Sequence, residues 1–192
     1  MSSFTYAELK QKSNIYQTDD LVENLGFEKS LLMARAMLSN KEWDTALHEY
    51  ATKLLEEMEK KYPEKWNSSW MYDALLGYAY DIIYKYDEKY AAFKKAFKKI
   101  NPPPPQLLVA MASCCWAPGK PPLKEDEAIQ LVKEAIKNTL YVEGVELLKG
   151  LYKSMGNIKE EEHWEGVLES IINNGEHLPS LDQLPEIQDS SS

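Results

Sequence analysis

Cysteine is almost absent: the chain has 2 of them, Cys114 and Cys115, side by side. Neighbouring residues cannot staple a loop, which excludes a disulfide framework and fits a reducing compartment. Glycine is sparse at 8 of 192 residues, and the 10 prolines are clustered. Long stretches are therefore free of helix breakers. Histidine is limited to His48, His163 and His177. No apolar run reaches the roughly 20 residues needed to cross a bilayer. The opening stretch MSSFTYAELKQKS carries no signal-peptide core. The expectation is a cytoplasmic protein. Also missing are a glycine-rich phosphate loop, a G-x-S-x-G elbow and a C-x-x-C pair.

What is present suits a helical protein. Hydrophobic residues make up 44% and charged residues 28%, enough to bury a core and cover it. The formal charge of −9 is uneven, at −3 for residues 1–61, +2 for 62–117 and −8 for 118–192. An acidic chain repels polyanions, so nucleic acid is a poor partner and a basic protein or peptide a better one.

Helical periodicity runs along most of the chain. Residues 1–17 read as an arm or a short helix. Thr18, Asp19 and Asp20 are good caps for a helix reaching about Asn40, with a break near Gly26. Trp43, Leu47, Tyr50, Leu54 and Met58 mark one face of a second helix, and Pro63 follows its end. A third helix is predicted from Asn67 to Tyr84 and a fourth, capped by Asp87, with Tyr90, Phe93, Phe97 and Ile100 on one face. The prolines Pro102 to Pro105 stop it. An apolar fifth helix, Gln106 to Trp116, precedes a second breaker at Pro118–Pro122. The sixth covers 124–138, the seventh carries Tyr141, Val145, Leu148, Tyr152 and Met155, and the eighth runs from Ile158 to Asn173. Residues 174–192, with Pro179, Pro185 and a terminal serine run, read as a flexible acidic tail. Short connections pair the helices: first with second, third with fourth, fifth with sixth, seventh with eighth.

The pairs are similar to one another. Leu76-Gly77 is followed by Tyr80, Phe93 and Ala96 keep a fixed spacing after it, and Pro102 closes the unit. Ala46 and Tyr50, then Ala128, Val132 and Ala135, then Leu148, Tyr152 and Gly156 repeat parts of the pattern. In this the chain resembles the tetratricopeptide-repeat family over about residues 20–173. Small residues let helices approach and large ones fill the groove opposite. The pattern is departed from at Asp73, where the family has Trp, and at Lys89 and Glu161, where it has Ala. Intervals between equivalent positions are irregular as well.

The resemblance implies an all-α fold, a right-handed α-solenoid of about four antiparallel helix pairs spanning 18–173, between the arm and the tail. Each pair needs its neighbour to cover an apolar face. It also implies a concave surface lined by the first helix of each pair. Carried onto this chain, the partner-binding residues are Arg35, Leu38, Met71, Ala74, Tyr78 and Asp81, with Glu143, Glu146 and Lys153 further along. Whether Tyr78 lines a groove or joins the core is left open. The family subgroup that binds acidic C-terminal tails uses Lys and Asn on the first helices. Leu31 and Arg35, Ala74 and Tyr78, and Glu146 and Gly150 stand there instead, so that motif is absent.

Other chemistry reads as structural. His163 and His48 are taken as surface residues, since His-x-Glu and His-Glu spacings do not share a helix face. Cys114 and Cys115 are taken as small buried hydrophobes. Lys94, Lys95, Lys98 and Lys99 read as the solvated face of an amphipathic helix, and Glu160 to Glu162 as acids in a first helical turn. No acid, base and nucleophile converge and no cofactor or metal site is expected. The expectation is a non-catalytic protein–protein interaction module binding a peptide or protein in a concave groove. The alternative is a dedicated subunit of a larger assembly, such as a scaffold, secretion chaperone or immunity protein; an enzyme on a helical scaffold is least supported. Oligomeric state is not legible.

Overall fold

The computed structural model describes residues 4–40 and 42–183. Among these, every regular element is a helix, and the only strand-like pairing is an isolated bridge between Tyr141 and Glu176. The chain divides into two compact units. The first comprises the chain up to Lys85 together with the segment from Ser180, the second Tyr86–Pro179.

The first unit holds α1 (Tyr6–Ile15), α2 (Thr18–Leu38), α3 (Thr45–Lys61), α4 (Pro63–Asn67) and α5 (Trp70–Ile82). Local chemistry sets each start. Thr5 and Glu8 form a reciprocal capping box, with Thr5 N donating to Glu8 Oε2 at 2.7 Å and Glu8 N to Thr5 Oγ1 at 3.3 Å. The arm is therefore a helix. Asp44 caps α3 by accepting from Leu47 N at 3.1 Å. The same carboxylate accepts from the Tyr6 hydroxyl at 2.8 Å and pairs with Lys10 at 2.6 Å, tying α1 to α3. Hydrogen bonds from Lys10, Tyr6 and Leu47 hold its pKa down at about 2. Pro63 opens α4, where its missing N–H is no loss, and Ser69 caps α5. The predicted third helix, Asn67 to Tyr84, corresponds to α5, and α4 is an additional short helix opened by Pro63 ahead of it. Within α2, Gly26 adopts φ 72° and kinks the helix, a conformation costly for any residue with a Cβ.

α2 packs along α3, and α3 against α5. Met33, Met37, Leu47, Leu54, Leu55 and Met58 are fully buried between them. Phe27 meets Tyr62 and Tyr72 edge-to-face at 5.7 and 5.1 Å. Trp66 is buried, and its indole N–H donates to Asp73 Oδ1 at 3.0 Å.

Two sequence expectations are corrected here. The spacing puts Trp43 on one face of the second helix with Leu47, Tyr50, Leu54 and Met58, but that helix begins at Thr45 and Trp43 lies ahead of its cap, 66% exposed. The sequence reads His48 as a surface residue, but it is 2% exposed. The apolar stripe of α3 is wide: His48, Ala51, Thr52 and Leu55 form its second edge at helical spacing, beside Leu47, Leu54 and Met58.

The second unit holds α6 (Tyr86–Lys99), α7 (Pro105–Ala112) with a single 3-10 turn at Ser113–Trp116, α8 (Glu125–Ala135), α9 (Val142–Ser154) and α10 (Ile158–Ile171). α7 packs on α8, α8 on α9 and α9 on α10. Val132, Val145, Leu148 and Leu151 are at its centre. Gly144 permits the close approach of α9: a Cβ there would lie 2.5 Å from Ile136 Cγ2. On α6, Phe93 and Ala96 are buried while Lys94, Lys95 and Lys98 are exposed, the amphipathic pattern expected. Asn157 caps α10 by accepting from Glu160 N at 3.3 Å. Three of the predicted pairs, α2 with α3, α7 with α8 and α9 with α10, pack together. The remaining predicted pair, α5 with α6, falls on either side of the division at Lys85.

Removing the acceptor at Asp73 takes away the hydrogen bond that the buried Trp66 indole N–H makes at 3.0 Å. Asp73→Ala should cost about 1–3 kcal/mol, and Asp73→Asn, which keeps an oxygen in place, less; thermal melts of the two variants measure the difference. Burial holds the His48 pKa below its ordinary value, with Asp44 pulling weakly the other way. The unfolded chain therefore binds this proton more readily. Stability should be greatest above the ordinary imidazole value of about 6.5 and fall as pH drops through it. Melts at about pH 7.5 and about pH 5.5 should show the fall, and His48→Phe should reduce it.

Candidate functional site

After α10 the chain does not run free. Val142 N donates to Glu176 O at 3.0 Å, joining the segment to the start of α9. The Glu143 carboxylate accepts from Leu178 N at 2.9 Å and meets His177 Nδ1 at 2.8 Å. Burial opposes the ionised form of Glu143, but the hydrogen bonds from Leu178 and its own backbone, with the His177 contact, outweigh this and hold its pKa below the usual range.

From Ser180 the chain belongs to the first unit. Leu181–Gln183 make one 3-10 turn packed on α5 and α2. Leu181 is 7% exposed and Asp182 6%, while Pro179 and Gln183 on either side are open. Arg35, from α2, donates through Nε to the Asp182 carbonyl at 2.9 Å. Tyr78, from α5, shares a side-chain hydrogen bond with Ser180; burial and the nearby charges of Asp182 and Asp81 push its phenol pKa up. The turn is closed internally by Ser180 Oγ donating to Asp182 Oδ1.

Two of the nine residues predicted from sequence, Arg35 and Tyr78, are thus brought onto one short segment. Tyr78, left open between groove and core, is half-buried at this seat. Met71 and Asp81 lie on the same helix, partly exposed. Leu38 and Ala74 are 4% and 0% exposed, so they pack rather than present a surface. On α9, Glu143 is engaged by the 177–178 segment, Glu146 is exposed, and Lys153 is exposed 3.7 Å from Glu161. Sequence reasoning missed Ser180, Leu181 and Asp182, because Pro179, Pro185 and the terminal serines marked the region as a tail. The available signal was Ser-Leu-Asp, a local turn former with an apolar residue at its centre.

Asp73, Lys89 and Glu161, the residues at odds with the resemblance, each meet a local partner. Asp73 receives the Trp66 indole. Lys89 is buried, and its ammonium donates to Ser113 Oγ at 2.9 Å. Ser113 in turn donates to the Ala110 carbonyl at 2.8 Å, a back-bond at a helix end. Glu161 faces Lys153. Cys114 and Cys115 are buried, and burial pushes the Cys115 thiol up to about 11.

In the second unit, Pro102–Pro105 wall a cleft of about 380 Å³ together with Leu108, Glu134, Ala135, Asn138, Thr139 and Tyr141. Glu134 and Asn138 sit exposed at its rim. Among the described residues, no three His, Cys, Asp or Glu side chains are grouped to hold a metal ion, and no helix is long and apolar enough to cross a membrane.

Glu143→Ala should free the 176–178 segment, seen as faster amide hydrogen exchange at Leu178 with α9 and α10 still protected. Comparison with protein-family models, with curated proteins and with solved structures gave no match to this chain.

Proposed function

We propose that the protein is a non-catalytic interaction module that captures a peptide or protein segment on the surface of its helix pairs, in the manner of the tetratricopeptide-like solenoid its repeats resemble. One observation carries this reading: Arg35 on α2 and Tyr78 on α5 together hold a short turn that is not part of either helix. The residues chosen from sequence as binding candidates and the residues that grip a peptide segment coincide at these two positions.

The chemistry suits recognition. Arginine grips a backbone carbonyl, an acceptor that every peptide offers, with a donor held in a rigid planar group. Tyrosine adds a broad apolar face and a polar tip at low entropic cost. Both project from helices whose own cores are packed, so the receptor needs little ordering when it binds.

The test is a peptide selection on the full chain, followed by titration calorimetry. Selected peptides should lose about tenfold in affinity with Arg35→Ala, the effect of a charge-assisted hydrogen bond worth about 1.5 kcal/mol. Glu146→Lys, on the exposed face of α9, should change it little. Peptides insensitive to Arg35 but weakened by Glu146→Lys would move the site to α9, and failure to select any peptide would sink the proposal.

A further inference from the structure

The seat on α2 and α5 is already occupied by the chain's own Ser180–Gln183 turn. We infer that this turn is an intramolecular ligand, and that the partner is a peptide of the same chemistry: a hydroxyl residue, a leucine and an acid in one turn, competing for the same seat. The inference rests on the recognition reading above and deepens it by naming the ligand class and its regulation.

Three features separate this turn from ordinary packing. Its anchoring is that of a peptide ligand: Leu181 and Asp182 are buried, the Asp182 carbonyl is bonded by Arg35, and Ser180 shares a side-chain hydrogen bond with Tyr78. Its shape is set within itself, since Ser180 Oγ donates to Asp182 Oδ1. The same side-chain bond is open to any peptide that carries Ser-x-Asp. Finally, among the described residues its buried part is short: Pro179 before it and Gln183 at its end are exposed, and the preceding anchor, Leu178 on Glu143, belongs to the second unit. A buried Leu-Asp pair with the bonds to Arg35 and Tyr78 is a hold that a peptide of like makeup can match.

Competition in cis reduces apparent affinity by the fraction of chains whose seat is empty. Releasing the turn should therefore strengthen binding in trans, the reverse of what loss of a contact surface would do. The leucine is the specificity element, since it enters the apolar seat. The arginine contact to a main-chain carbonyl fixes orientation for any sequence.

The experiment uses the full chain and a fluorescent hexapeptide, Leu-Pro-Ser-Leu-Asp-Gln, copied from residues 178–183. Leu181→Asp places a charge in the seat and should dislodge the turn. That variant should bind the hexapeptide at least about tenfold tighter than the natural chain. Adding Arg35→Ala should abolish the gain, and a hexapeptide with its second leucine changed to aspartate should not bind. Equal affinity for the natural and Leu181→Asp chains, or a gain that survives Arg35→Ala, overturns the inference. If circular dichroism shows Leu181→Asp unfolded, Leu181→Ala takes its place, with an expected gain of about threefold. A released chain that binds the selected peptides but ignores the hexapeptide overturns this inference and leaves the recognition reading standing; one that binds neither brings down both. Light scattering completes the set: a dimer of the natural chain that Arg35→Ala dissociates assigns the seat to the turn of a second copy and overturns a partner in trans.

Discussion

The apolar interface between α2 and α3 is the constraint on which the candidate site depends. Met33 and Met37 on α2 are fully buried, as are Leu47, Leu54 and Leu55 on α3. Each such side chain contributes about 1.5–3 kcal/mol, so the rotational setting of α2 is strongly determined. Arg35 lies two residues from each of the buried methionines, which places it about 200° around the helix from either. Burial of the methionines is what turns the guanidinium away from α3. On α5, burial of Leu75, Leu76 and Ala79 likewise constrains Tyr78. The seat for the Ser180–Gln183 turn is thus a consequence of core packing, made by residues that the core excludes.

Buried polar residues tell a second story. In a helical core, tolerance of a polar residue depends on whether its polar atoms find partners, because an unsatisfied buried group costs more than a lost contact. Asp73 and Lys89 both occupy positions where the resembled family has an uncharged residue, and both are buried. Asp73 Oδ1 accepts from the Trp66 indole, and the Lys89 ammonium donates to Ser113. Trp66 lies seven residues before Asp73, on a separate helix begun by Pro63. The irregular elements and the irregular residues therefore go together: α4 exists at the place where its tryptophan answers the aspartate on α5.

The proline clusters have a comparable role. They end helices, and Pro102–Pro105 also build a wall, facing Glu134, Asn138, Thr139 and Tyr141 across a cleft. Proline cannot donate from its backbone, so this wall presents apolar rings and carbonyl acceptors.

Sequence by itself determined the helical class, the approximate span of every long helix and the break at Gly26, because periodicity, caps and proline act within a few residues of themselves. It also placed Arg35 and Tyr78 among nine binding candidates through the repeat resemblance. What tertiary structure alone decided was the sorting: that Leu38 and Ala74 are buried, that His48 belongs to the core and Trp43 does not, and that α5 and α6 belong to different units. The tail shows the limit most clearly. Pro-Ser-Leu-Asp signals a local turn but not where that turn is seated, since the seat is made by Arg35, 147 positions away in the chain. A contact between residues so distant depends on where both helices come to rest, and that is settled by side-chain packing over the whole unit rather than by any neighbouring residue.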